Sequence, residues 1–169
     1  MMEGKPVRES ASEYSELALP NDANGLGHVL GGKVMHLVDV AGAMAAMRHA
    51  RKPVVTASVD SLQFLHPVHI GELIILNSSV NRVFRTSMEV GVKVVTENLM
   101  TGERLHTCSA YLTFVGLDEN GNAAAVAPVV PETEEEKRRF REAGERREYR
   151  LSKRGQEHFP PLTPPCTCT

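Results

Sequence analysis

The stretch that decides the fold runs from Gly31 to Ala50 and reads GGKVMHLVDVAGAMAAMRHA. After the glycine pair, Lys33 to Ala50 is dominated by Ala, Met, Leu and Val and contains no proline. Pro53 follows closely, so the segment predicts a helix of about 17 residues that ends before that proline. Between Leu30 and Met47 the only charged residues are Lys33 and Asp39. A helix that is apolar on nearly all sides belongs in an interior rather than on a surface. It is too short for a membrane span, and Asp39 interrupts it.

Working outward, Asn21-Asp22-Ala23-Asn24-Gly25-Leu26-Gly27-His28 is rich in turn formers and reads as a loop. A short strand over Tyr14–Leu19 precedes it, closed by Pro20, and residues 1–12 are polar and expected to be loose. On the far side four strands are predicted: Val54–Phe64, Leu73–Val83, Met88–Val94 and Leu105–Leu117. Met88–Val94 alternates strictly, with Met88, Val90, Val92 and Val94 on one side and Glu89, Gly91 and Lys93 on the other. Thr101-Gly102 and Asp118-Glu119-Asn120-Gly121 are turns. Such short links imply an antiparallel sheet. To cover an all-round apolar helix, that sheet must curl around it. The expected class is therefore α+β with the hotdog arrangement, and its open sheet edges and small mass call for a dimer.

The 169 residues divide into a flexible start (1–12), a hotdog domain (13–130), a charged helix (131–151) and a flexible tail (152–169). The helix follows from seven acids and seven bases between Glu132 and Arg150. Glu134→Arg138, Glu135→Arg139 and Glu142→Arg146 have the favourable i,i+4 order, and the helix is expected to be solvated. A net charge of −2 lacks the basic footprint of a nucleic-acid binder. Three cysteines, two of them in the tail at Cys166 and Cys168, do not make a disulfide framework, and no apolar leader opens the chain. These features suggest a cytoplasmic protein.

Asp39 is the sharpest chemical feature. An ionised carboxylate in a buried helix is costly unless it is paired or hydrated. It either faces a solvent seam or pairs with His36 one turn earlier, or it serves as a general base or nucleophile in a water-poor pocket. Gly31 and Gly32 make a tight turn. They equally leave the first-turn amides open to a ligand, where N–H groups and helix dipole stabilise an oxyanion. Asn24 is a turn residue or an amide that orients water or a carbonyl. Asp39 lies roughly 12 Å along the helix from Gly31, so one protomer does not obviously gather all three groups, whereas a partner subunit does. Arg85-Thr86-Ser87, with Arg82 and Lys93 nearby, is a solvated strand end or a phosphate-binding cluster. The seven histidines show no zinc-like spacing with cysteine, and Cys108 reads as core.

Several motifs occur in a shared order: Asp22-Ala23-Asn24, Gly27-His28-Val29-Leu30-Gly31-Gly32, Asp39 with Ala41-Gly42, Val55 to Asp60, Phe64, Pro67 to Gly71, Thr86 to Val90, Phe114-Val115, and Val130 to Phe140. In them the chain resembles the hotdog acyl-CoA thioesterases over roughly residues 13–150. The match is to the cytosolic (brain-type) acyl-CoA hydrolase group and its short bacterial relatives. The resemblance implies hydrolysis of acyl-CoA to free acid and coenzyme A, without metal and without a cofactor beyond the coenzyme A of the substrate. It implies Asp39 and Asn24 acting together across a dimer interface, and Gly31 and Gly32 as the thioester carbonyl site. It also implies assembly as a trimer of hotdog dimers, and coenzyme A contacts from Arg82, Arg85, Thr86 and Ser87. Phe84 departs from the glycine of many bacterial relatives and bears on the shape of that last site. Two alternatives stand beside this reading. One is a non-catalytic acyl-CoA-binding or sensing module. The other is a hotdog dehydratase or hydratase, for which His158-Phe159-Pro160 is the only motif, placed in the tail.

Overall fold

The computed structural model describes residues 2–60 and 62–153. The elements in chain order are β1 (Lys5–Pro6), β2 (Ser12–Leu17), α1 (Gly31–Ala50), β3 (Val54–Val59), β4 (Leu73–Val83), β5 (Ser87–Glu97), β6 (Arg104–Gly116), β7 (Val129–Val130) and α2 (Glu134–Lys153). Five strands form one antiparallel sheet in the order β2-β4-β5-β6-β3. It curls around α1, which contacts all five strands, and this is the expected hotdog fold. The tail motifs at His158-Phe159-Pro160, Cys166 and Cys168 lie outside the described residues.

The core forms where the inward alternation of β4, β5 and β6 meets α1. Ile74, Leu76 and Val80, then Met88, Val90, Val92 and Val94, then Cys108, Ala110, Leu112 and Phe114 are all buried. They pack against Val34, Leu37, Val38, Ala41, Ala45 and Ala46 of the helix. Gly42 sits where helix and sheet come closest: a Cβ there would lie 3.0 Å from the Phe114 ring. Arg51, in the left-handed region at φ 53°, ends α1 by donating its N–H to Met47 O at 2.8 Å.

Four expectations need correction. The first strand of the set that follows α1 stops at Val59 rather than Phe64. Lys5 to Ser12, in the segment expected to be loose, are anchored. β1 pairs with β7, Val7 is buried, and the buried Ser10 hydroxyl donates to Val7 O (2.7 Å) and accepts Val80 N–H (2.9 Å) where β4 breaks register. A polar segment is held here because the irregular strand needs a partner for a buried amide. α1 is buried on one side only: Met35, His36, Met47 and Arg48 are exposed in the single chain. Finally, α2 is not merely solvated. It lies across the outer face of the sheet with Ala143 buried and a half-buried stripe at Glu136, Phe140, Gly144, Arg147 and Arg150. Thr133 and Glu136 form its capping box, Thr133 Oγ1 accepting Glu136 N–H and the Glu136 carboxylate accepting the N–H of Thr133 and Glu132. Of the three predicted i,i+4 pairs, Glu135–Arg139 and Glu142–Arg146 form. Glu134 turns instead to Lys137, and Arg138 lies between Glu135 and Glu142.

Candidate functional site

α1 carries Asp39 two turns from its start, half-buried and beside the edge strand β3. The Thr56 hydroxyl of β3 donates to Asp39 Oδ1 at 2.6 Å. His36 is not its partner, and among the described residues Asp39 makes no ion pair. A hydroxyl donor orients a carboxylate without neutralising it, and Oδ2 carries no described hydrogen bond. Sequence reading singled out Asp39 but gave Thr56 no role, because their contact spans 17 residues and depends on strand–helix packing.

The start of α1 is open as expected. Its N-cap is Leu30, whose side chain offers no acceptor. Backbone bonding begins with Lys33 N and Val34 N donating to Leu30 O. Gly31 and Gly32 are exposed and, among the described residues, their amides have no partner. A Cβ at Gly32 would meet nothing within 4 Å, and one at Gly31 would touch only the Phe64 ring at 3.5 Å. Two free N–H groups at a positive helix end form an anion-ready site. Lys33 does not compete for it: its ammonium is 2.6 Å from Glu16 and 3.5 Å from Asp22. With Tyr14, it holds the Glu16 carboxyl below the ordinary carboxylate range.

Asn24 is built into its loop. Its Oδ1 accepts Leu26 N–H (2.9 Å) and His28 N–H (3.1 Å), and its own N–H donates to His28 O at 2.7 Å. Gly27, at φ 78°, closes this turn. The loop is fixed in turn to the segment before β4. Val29 N–H donates to Val68 O (2.9 Å), and the His28 and His69 rings meet edge to face at 4.9 Å. With the carbonyl oxygen held by two amides, the NH₂ of Asn24 is left to donate outward. Within one protomer its hydrogen bonds stay in this loop, so nothing joins Asn24 to Asp39.

The predicted phosphate cluster divides. Thr86 and Ser87 line a cleft of about 670 Å³ together with Ala57, Asp60 and the α2 residues Arg147, Arg150 and Lys153. Arg85 is exposed beside Thr86. Arg82 lies under α2 instead, its guanidinium 4.4 Å over the Phe140 ring and donating to Phe140 O at 3.3 Å, in room that Gly144 leaves by lacking a side chain. Phe84 stacks under the Arg147 guanidinium at 4.3 Å, and Arg147 donates to the Ser87 hydroxyl at 3.2 Å. Sequence reading missed these α2 cations, because a balanced charge run carries no mark of which side faces the sheet. Burial pushes the Asp60 carboxyl up, while Arg150 at 2.6 Å pulls it down. A separate depression of about 610 Å³ on the outer sheet face, lined by Asn77, Lys93, His106 and Tyr111, holds Lys93 of the expected cluster but none of the other expected site residues. Among the described residues there is no group of three or more His, Cys, Asp or Glu placed to hold a metal ion, and no helix is long and apolar enough to cross a membrane.

Comparison with known proteins gives a consistent picture. The profile of the Thioesterase superfamily matches residues 26–103. An uncharacterized acyl-CoA thioester hydrolase of Bacillus subtilis is 45% identical over 129 residues, covering 76% of this chain and 75% of that protein. A crystal structure of an apo-hexameric acyl-CoA thioesterase is 42% identical and superposes with a TM-score of 0.89, covering 92% of this chain and 100% of that one. An acyl-CoA hydrolase of Staphylococcus aureus, solved with butyryl coenzyme A, coenzyme A and coenzyme A disulfide, is 34% identical with a TM-score of 0.84, covering 90% and 93%. Alanine variants of that hydrolase at one asparagine, one aspartate and one threonine have also been solved. Those three residues are spaced along their chain by the same intervals as Asn24, Asp39 and Thr56 here.

Proposed function

Because the chain belongs to the thioesterase superfamily, alongside acyl-CoA thioester hydrolases of the same hotdog fold, we propose that it cleaves fatty acyl-CoA to free acid and coenzyme A, with Asp39 as its catalytic carboxylate. One observation carries the residue assignment: a single helix presents two unpartnered amides at Gly31 and Gly32 and, two turns on, a carboxylate oriented by Thr56. The amides are suited to the oxygen of a thioester carbonyl as negative charge develops on it. The carboxylate is suited to activating water or to attacking the carbonyl itself. The spacing shared with the substituted residues of the Staphylococcus aureus hydrolase supports Asn24, Asp39 and Thr56 as one working set.

Asn24 serves the site of a partner subunit, its outward NH₂ orienting water or substrate. Support comes from the exposed apolar surface around Asp39: Met35 and Met47 of α1 with Val55 and Val59 of β3. Covering that surface with a second copy makes the hotdog dimer and removes Asp39 from bulk water. Three such dimers make a hexamer, and hexameric is also the state of the apo-hexameric acyl-CoA thioesterase. The coenzyme A phosphates enter the cleft at Thr86 and Ser87, with Arg85 on the exposed side, and Arg82 acts there through Phe84 and Phe140 rather than by contact. The reading needs no metal, and it puts the enzyme in the cytoplasm, where Cys108 stays reduced.

The test is hydrolysis of a panel of fatty acyl-CoA chain lengths by the wild type and by Asp39→Ala, Asn24→Ala and Thr56→Ala, each checked for intact oligomers. Loss of the base or nucleophile lowers kcat by about 10²–10⁴. Thr56→Ala lowers kcat less, and Thr56→Ser restores it. Unchanged turnover in both Asp39→Ala and Asn24→Ala ends the proposal. A single turnover in heavy-oxygen water, with trapping of any acyl-enzyme by hydroxylamine, separates the two routes: label in the Asp39 carboxylate or a trapped acyl group on Asp39 marks direct attack, whereas label in the product acid with no trapped acyl-enzyme marks activated water.

A further inference from the structure

Glu89 is the one carboxylate of the described residues that is fully buried, and it lies outside the reaction described above. It sits on β5 between the core residues Met88 and Val90, so it points to the opposite face of the sheet, beneath α2. Its environment is built for an ionised group. Arg146 of α2 approaches as a fork, Nη2 donating to Oε1 at 2.7 Å and Nε donating to Oε2 at 3.1 Å. Asn81 Nδ2 donates to Oε1 at 3.1 Å. Gly91 makes room for that amide: a Cβ there would lie 3.0 Å from Asn81 Nδ2. The Arg146 guanidinium is sandwiched from the other side by the Tyr111 ring at 3.7 Å. Arg150, one turn further, is 3.9 Å from Glu89 and 2.6 Å from Asp60.

This network has a geometric consequence for the cleft. A forked ion pair between a buried strand residue and a helix arginine fixes both the rotation of α2 about its axis and its position along the sheet. A lone carboxylate in the interior is expensive, so the fork also holds α2 down. The cations that line the cleft, Arg147, Arg150 and Lys153, lie next to Arg146 or one to two turns beyond it. The fork fixes the azimuth at which Arg147 reaches Ser87, and Arg150 is itself part of the network.

We infer that Glu89 is a positioning residue for substrate binding: through Arg146 and Arg150 it holds the basic wall of α2 against Thr86 and Ser87, where the phosphates of coenzyme A enter. The inference rests on the thioesterase reading and adds to it a residue that never touches the reacting atoms.

The experiment compares Glu89→Gln and Arg147→Ala with the wild type on two substrates, a fatty acyl-CoA and the same acyl group on pantetheine, which lacks the phosphates. Coenzyme A binding is measured in parallel by calorimetry. Both variants are expected to raise KM for acyl-CoA and weaken coenzyme A binding by about tenfold, the loss of a charge-assisted contact, with kcat little changed. Acyl-pantetheine kinetics stay at wild-type values. If Glu89→Gln does not fold, Arg146→Lys carries the same expectation, since it keeps the charge and loses the fork. Equal losses on both substrates mean a purely structural role and overturn the inference, as does unaltered coenzyme A affinity. Failure of the thioesterase reading is separate: the wild type then hydrolyses neither thioester, while calorimetry still reports on the wall.

Discussion

At the scale of single residues, Asp39 and His49 show opposite relations to burial. Asp39 looked buried from its apolar neighbours, yet in one protomer it is half-open and answered by the Thr56 hydroxyl. His49, between Arg48 and Ala50 near the end of α1, is fully buried, with Nε2 2.8 Å from Ala127 O and Nδ1 without a partner among the described residues. Burial is the main cause holding the His49 imidazole below its ordinary value of 6.5. The sign follows from linkage. Above pH 6.5 the residue is neutral in both folded and unfolded chains, and its contribution to stability does not change with pH. As pH falls through 6.5 the unfolded chain takes up a proton that the folded chain resists, so stability falls. Urea unfolding midpoints should therefore drop on acidification below 6.5, and His49→Gln, which keeps a donor for Ala127 O, should flatten that slope. An unchanged slope in His49→Gln removes His49 as its cause.

Among the elements, α1 and α2 were unequally legible. The extent of α1 was readable because low charge and proline placement are local signals, and the helix gained only the two glycines at its start. The strands β4, β5 and β6 were readable from alternation and turn residues, whereas β3, an edge strand with a register break between Thr56 and Ser58, stops at Val59, short of the expected Phe64. The inner stripe of α2 was not readable, since Arg146, Arg147 and Arg150 look like solvated charge until the sheet is beneath them. The close approach of α1 to β6 gives a test at this scale. Gly42→Val forces side-chain atoms into the Phe114 ring, and thermal or urea unfolding should show a loss of about 1–3 kcal/mol. Wild-type stability in Gly42→Val would mean that helix and sheet are not packed as closely as described.

For the whole molecule, Asp39 is half-buried and Gly31 and Gly32 are exposed in the single chain, and neither of the two clefts described above includes Asp39, Asn24 or the glycine pair. A site shared between two copies makes a prediction that no single-chain site makes. Co-expressing Asp39→Ala with Asn24→Ala builds mixed dimers in which one of the two sites has both residues intact. With random pairing the mixture should regain about one quarter of wild-type activity, although each variant alone is inactive. No recovery in a mixture shown by mass spectrometry to contain mixed dimers means that both residues act within one subunit.

By itself the sequence determined the fold class and the main candidates: a sheet curled around α1, a carboxylate at Asp39, open amides at Gly31 and Gly32, and a turn built on Asn24. Each of these is encoded over a few neighbouring residues, through periodicity, charge placement and the conformational freedom of glycine. The tertiary structure alone decided what those residues meet. Thr56 reaches Asp39 only because β3 runs beside α1, Ser10 fills the irregularity of β4, and Arg146 finds Glu89 across 57 residues of chain. Such pairings depend on the direction in which distant side chains leave the backbone once the sheet has curled, and that information is spread over the whole packed chain rather than held in any one segment.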